Sequence, residues 1–153
     1  EVIPDELIQK ILNQNTFNQG FMTTELLAAA ILDMNLHNLT EIDQLDVIAF
    51  EKEMMDQLKL IPQIAPRYRV TYFNHIIGGY SAGYYSYKWS EMLDADAFSL
   101  FEKLGIYNQE VATSFRKNIL EKGSSEHPKV LYRRFRGQDA TIDAMMKRDG
   151  IVK

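Results

Sequence analysis

Residues 75–89 read His-Ile-Ile-Gly-Gly-Tyr-Ser-Ala-Gly-Tyr-Tyr-Ser-Tyr-Lys-Trp, with one histidine, four tyrosines and one tryptophan around a glycine pair. Glycines free the backbone, and tyrosines offer neutral hydrogen-bond donors on rigid rings. A phenol has a reference pKa near 10, so it stays protonated at neutral pH. It can therefore donate to a carbonyl, or to the oxyanion that grows from one in acyl-transfer chemistry. Tyr80, Tyr84 and Tyr87 are spaced four and seven apart, which places them on one face if this stretch is helical. Tyr85 and Trp89 then fall on another face, with Met92 and Leu93. The division expected is Tyr85 and Trp89 inward, with Tyr80, Tyr84 and Tyr87 bordering a cavity. Tyr80 follows Gly78-Gly79 directly and could swing toward a bound substrate. Two plainer readings stand beside this one. Tyrosine stripes on helices also serve half-buried packing, and a lone histidine such as His75 also serves as a hydrogen-bonded structural residue.

Other polar residues carry less chemistry. His37, His75 and His127 are far apart in sequence, and none lies in an H-E-x-x-H helix where two histidines share a zinc. There is no cysteine, which excludes disulfides, thiolate metal sites and a cysteine nucleophile. No metal ligands are therefore assigned. Glu51, Glu53 and Asp56 read as a solvated helix face. Arg133, Arg134 and Arg136 could grip a peptide carboxylate bidentately, but surface ion pairing is the expected role.

The elements that must position these residues are mostly helical. Pro4-Asp5-Glu6 before Leu7, Ile8, Ile11 and Leu12 opens a short helix, followed by a polar loop over 13–20. Thr23 or Thr24 caps a second helix to about His37. Thr40-Glu41-Ile42-Asp43 resembles a capping arrangement for a third, ending near Leu60, with Leu45, Ile48, Met55 and Leu58 on its core face. Pro62 and Pro66 give an extended connection, and the alternation over 67–74 reads as a strand or extended loop. Beyond the glycine hinge a long helix is expected over about 81–104, stopped by Gly105. Asn108 caps a helix to about Glu121, stopped by Gly123. A shorter helix opened by Ser124-Ser125-Glu126-His127-Pro128 runs through Phe135, and Ala140 to Arg148 forms the last. The class is all-α, or nearly so, in one domain.

The 153 residues suffice for a real core, and the 46% apolar and 25% charged composition is that of a soluble globular protein. A net charge of −4 without a long basic run argues against nucleic-acid binding, and no apolar run is long enough to span a membrane. The chain opens Glu1-Val2-Ile3-Pro4 without an initiator methionine, so it is read as processed or as a piece of something longer. A reducing, cytoplasmic setting is expected from the absence of cysteine.

The pattern Phe73-x-His75-x-x-x-Gly79-Tyr80-x-Ala82-x-Tyr84-Tyr85-Ser86-Tyr87-x-Trp89 resembles the C-terminal motif of the thimet oligopeptidase and peptidyl-dipeptidase family of zinc metallopeptidases. Pro4-Asp5-Glu6-Leu7-Ile8 and Phe17-Asn18-x-Gly20-Phe21 resemble that family's helices between the zinc site and the tyrosine loop. Asp94-Ala95-Asp96-Ala97-Phe98, Phe115-Arg116-x-x-Ile119-Leu120 and Leu131-Tyr132-x-x-Phe135-Arg136-Gly137 resemble its end. The resemblance implies the C-terminal part, residues 1–153, of a larger helical catalytic domain that hydrolyses short peptides, with zinc held upstream of residue 1. It implies that His75, Tyr80 and, beside them, Tyr84 bind substrate. Gly78 and Gly79 would form the hinge of a flexible substrate loop. Tyr87, helped by His75, would stabilise the tetrahedral intermediate. The competing reading is a stand-alone, non-catalytic helical module that binds peptides or a partner protein.

Overall fold

The computed structural model describes residues 2–152. Eight α-helices carry the described residues, and none of these residues is in a strand. They are α1 (Asp5–Asn15), α2 (Gln19–His37), α3 (Val47–Gln57), the single turn α4 (Asn74–Ile77), α5 (Ser86–Leu104), α6 (Gln109–Phe115), α7 (Pro128–Arg136) and α8 (Asp143–Arg148). The chain divides into two compact units, Glu1–Tyr87 and Lys88–Lys153, with the division just inside α5.

In the first unit α1 reaches Asn15 and α2 already begins at Gln19, so the expected loop over 13–20 shrinks to a tight turn through Asn18, which sits at φ 56°. Asparagine tolerates this left-handed backbone better than most side chains. No residue of α1 is buried, and Leu7, Ile8, Ile11 and Leu12 are all exposed. The Ala28-Ala29-Ala30 run and Leu32 of α2 form the floor of the core. Helix α3 starts later than Thr40. Its cap is Asp46, whose Oδ1 accepts from the N–H groups of Ile48 and Ala49 at 3.0 Å. Ile48, expected on the core face, is exposed. Glu51, expected in solvent, is fully buried and pairs with Arg69, while its Oε2 accepts from the N–H of Val70 at 2.9 Å. That bond also explains why 67–74 is not a strand. The amide of Val70 goes to a side chain, and the chain turns through a 3₁₀ stretch, Val70–Tyr72, into α4.

In the second unit Asn108 caps α6 as expected, its Oδ1 accepting from Glu110 and Val111 at 3.0 and 3.1 Å. The helix then widens into a π-helical stretch, Arg116–Leu120. Helix α7 starts at Pro128 and is capped by Gly137, whose left-handed φ of 80° glycine adopts without the cost a Cβ brings. Val111, Leu131, Phe135 and Met145 are buried together with Ala95, and Phe101, Phe115 and Phe135 pack edge or tilted at 5.1–6.3 Å. Arg133 and Arg134 make the expected surface pairs, bidentate to Asp139 and to Glu126. Arg136 instead turns inward. Its Nε donates to buried Asp96 at 3.0 Å, and Asp96 also accepts from the Tyr132 hydroxyl at 2.6 Å. Burial and that bond push the Tyr132 phenol well above its ordinary range. Removing Arg136 leaves the buried carboxylate with neutral donors alone. Arg136→Ala is expected to cost about 3 kcal/mol or more in urea unfolding, whereas Arg133→Ala leaves the midpoint nearly unchanged.

Candidate functional site

The site segment lies between two buried carboxylates of the first unit. Glu51 on α3 holds its start at Val70. Asp33 on α2, with no exposure, holds its end, accepting from the N–H of Ala82 at Oδ1 and of Tyr84 at Oδ2, both at 2.9 Å. Between them Phe73, Ile76 and Tyr84 pack on Ala29 and Ala30, with Leu26, Leu36 and Tyr68 closing the cluster.

The long helix expected from Ser81 begins only at Ser86. Residues 81–85 form turns, with Ala82 at φ 52°. The helical spacing that assigned faces to the tyrosines therefore does not apply before Ser86, and the assignment is corrected. Tyr85 and Trp89, expected inward, are exposed, while Tyr84 is buried at 3% exposure. Tyr80 and Tyr87, at 41% and 38%, reach the surface as expected.

These side chains form one aromatic group. Tyr80 and Tyr87 stack nearly parallel, with centroids 5.3 Å apart and an interplanar angle of 12°. His75 stands edge-on to both, at 5.8 and 6.0 Å. Below them Tyr84 packs against Tyr87 at 5.2 Å and against Phe73 at 4.9 Å. Tyr68 stacks on Phe73 and lies 4.8 Å from His75. The Tyr87 phenol is held above its ordinary pKa, first by the adjacent Tyr80 hydroxyl and then by burial. The Tyr84 phenol is raised mainly by burial. Both keep their protons through neutral pH, so Tyr87 offers a neutral donor at the surface. A Cβ added at Gly78 would make only ordinary contacts, with the Asn74 and His75 carbonyls at 3.5 and 3.8 Å. Gly79 would meet nothing within 4 Å if a Cβ were added. The pair thus leaves the chain before Tyr80 bare of side chains.

Five of the six residues singled out in the sequence, His75, Gly78, Gly79, Tyr80 and Tyr87, lie on the exposed side of this group. Tyr84 forms its floor. Asp33, Glu51 and Tyr68 were not anticipated. Asp33 and Glu51 sit on helices without any local sign of burial. Tyr68 stood in the segment read as a strand. The remaining histidines have structural partners. His37 Nδ1 lies 2.9 Å from the Asp33 carboxylate, and His127 Nδ1 accepts from the Lys129 N–H at the start of α7. No group of three His, Cys, Asp or Glu residues stands ready to hold a metal among the described residues, so they do not fit a zinc site. No helix among them is long and apolar enough to cross a membrane.

A family model, Peptidase family M3, matches residues 1–151. The chain is 42% identical to the dipeptidyl carboxypeptidase of Escherichia coli (strain K12) over 97% of its own length and 22% of that protein. It is 37% identical to oligopeptidase A of the same organism over 99% of its length and 22% of the relative. It is 32% identical to a probable cytosolic oligopeptidase A of Arabidopsis thaliana, again over 22% of that protein. The chain thus spans about a fifth of the length of these relatives.

Proposed function

The chain belongs to peptidase family M3, and on that premise we propose that it is the substrate-binding and transition-state-stabilising segment of a zinc peptidase acting on short peptides. The observation that carries this reading is the exposed Tyr80–Tyr87 stack with His75 at its edge, fixed on a buried floor. Two protonated phenols side by side are suited to a peptide carbonyl. In this reading Tyr87 donates its O–H to the carbonyl oxygen as negative charge develops there, a contact stronger in the transition state than in the ground state. Tyr80 and His75 hold the substrate backbone. Tyr84 supports the Tyr87 ring from below rather than reaching the peptide. Gly78 and Gly79 let the Tyr80 turn adjust as substrate binds.

Zinc ligands, nucleophile and base would come from other residues of the full-length peptidase, because the described residues of this chain do not fit a metal site. The partners of the segment in this reading are the remainder of that catalytic domain and short peptides, the latter in keeping with relatives named dipeptidyl carboxypeptidase and oligopeptidase A. The net charge of −4 does not favour nucleic acid. The absence of cysteine is consistent with a cytoplasmic setting.

The test uses this chain and the full-length protein side by side. The full-length protein is expected to hold stoichiometric zinc and to cleave a quenched peptide in a chelator-sensitive way. The chain by itself is expected to hold none and to cleave none. Chelator-sensitive turnover by the chain alone, above a metal-only blank, would overturn the division of labour. A full-length protein that binds peptide without zinc and without turnover would establish the non-catalytic binding module instead.

A further inference from the structure

Asp33 is the most deeply placed charged side chain near the tyrosine site, with no exposure, and it engages that site through backbone N–H groups. Its two carboxylate oxygens divide between two main-chain donors 49 and 51 residues away, Oδ1 taking the Ala82 N–H and Oδ2 the Tyr84 N–H. His37 Nδ1, at 2.9 Å from both Oδ1 and the Asp33 carbonyl, closes the remaining side. A buried carboxylate without such partners is strongly destabilising, so both ends of each bond gain from the arrangement.

The backbone it grips is strained. Ala82 sits at φ 52°, in the left-handed region that residues with a Cβ rarely adopt. Strain of this kind persists only where surrounding contacts over-determine it. Here they do. Besides the two Asp33 bonds, the Ser81 hydroxyl donates to the Ile76 carbonyl, and the Gly83 N–H donates to the Tyr80 carbonyl at 2.9 Å. The result is a rigid turn between Tyr80 and α5. Without it, residues 81–85 would be free to continue the helix toward its N-terminus. That would rotate Tyr84 out of the core and separate Tyr80 from Tyr87.

We propose that Asp33 is the positioning residue of this site, its buried carboxylate holding the 82–84 backbone so that Tyr84 stays in the core and Tyr80 and Tyr87 stay stacked at the surface. The role rests on the reading of Tyr87 as a transition-state donor, but the carboxylate grip itself can be measured without activity. Asparagine has the same shape with one acceptor instead of two, so in Asp33→Asn one of the two N–H groups faces an NH₂.

Two measurements on the full-length peptidase test it. The first is amide hydrogen exchange. In the wild type the Ala82 and Tyr84 amides are expected to exchange at rates close to those of the α2 core, and in Asp33→Asn about tenfold faster or more. The second is a kinetic cycle with Tyr87→Phe. Asp33→Asn alone is expected to lower kcat about tenfold or more through misplacement of the ring. In the Tyr87→Phe background it is expected to lower kcat little further, because the donor it positions is already gone. A merely structural role would give additive losses. The proposal is overturned by wild-type Ala82 and Tyr84 amides that exchange as freely as that of Gly79. This outcome stands even if the variant fails to fold. It is equally overturned by a folded Asp33→Asn with wild-type kcat, or by losses that add. If Tyr87→Phe alone keeps full kcat, the reading of the site falls and the positioning role with it. Protected amides would then mark only the grip on the backbone.

Discussion

Tyr87→Phe is expected, on the proposed function, to lower the kcat of the full-length, zinc-loaded protein about a hundred- to a thousandfold while KM stays within a few-fold. A donor used only in the transition state lowers kcat and kcat/KM together. Phenylalanine keeps the ring, so the stack on Tyr80 and the edge contacts to His75 and Tyr84 survive. The melting temperature should therefore hold, since substitutions that disturb no packing or buried polar group stay within about 0.5 kcal/mol. Tyr85→Phe is the control. Its ring is exposed and outside the aromatic group, and its kcat should equal that of the wild type. The pH profile gives a second check. The Tyr87 phenol is raised above its ordinary pKa, so it keeps its proton to higher, not lower, pH. Loss of this donor by ionisation should then set in at higher pH than for an unperturbed phenol. Near-wild-type kcat for a folded Tyr87→Phe would remove the transition-state role.

The aromatic half of this site could be read from the sequence because it is written in residue types. Few structural segments need His75, a glycine pair and four tyrosines together. The carboxylate half could not. Asp33 sits on an apolar helix, where nothing local marks it as the partner of amides 49 and 51 residues away. Glu51 shares its helix with Glu53 and Asp56, which are exposed, and only the fold distinguishes it from them. These two missed acids also account for the misread elements. Because Glu51 takes the Val70 amide, the alternating 67–74 segment turns instead of pairing as a strand. Because Asp33 takes the Ala82 and Tyr84 amides, α5 starts at Ser86 rather than Ser81. The helical period was then applied to residues that are not helical, which exchanged the faces of Tyr84 and Tyr85. Signals confined to a few residues fared better: the Asn108 cap, the Gly105 stop and the all-helical class were all legible.

Phe73→Ala separates positioning from chemistry in the opposite direction. Phe73 has no exposure, stacks on Tyr68 at 5.1 Å and meets the Tyr84 ring edge at 4.9 Å. Truncating a buried phenylalanine costs about 3–5 kcal/mol, part lost transfer energy and part the cavity left behind. The drop in the unfolding midpoint should be among the largest for a single substitution in the first unit. The catalytic effect should differ in kind from that of Tyr87→Phe. Phe73 touches no substrate in this reading, but it borders both the Tyr84 floor and, at 6.0 Å, the His75 ring. With the cavity beneath them, His75 and Tyr84 lose their fixed positions together, so substrate binding and kcat should both suffer. KM should rise as kcat falls, in a protein kept folded by working well below its new midpoint. Phe73→Leu, which refills most of the cavity, should recover much of the stability and of KM. If Phe73→Ala destabilised the protein yet left KM and kcat intact, the aromatic floor would serve the fold alone. The Tyr80–Tyr87 stack would then owe its geometry to the Asp33 grip on the backbone rather than to the rings beneath it.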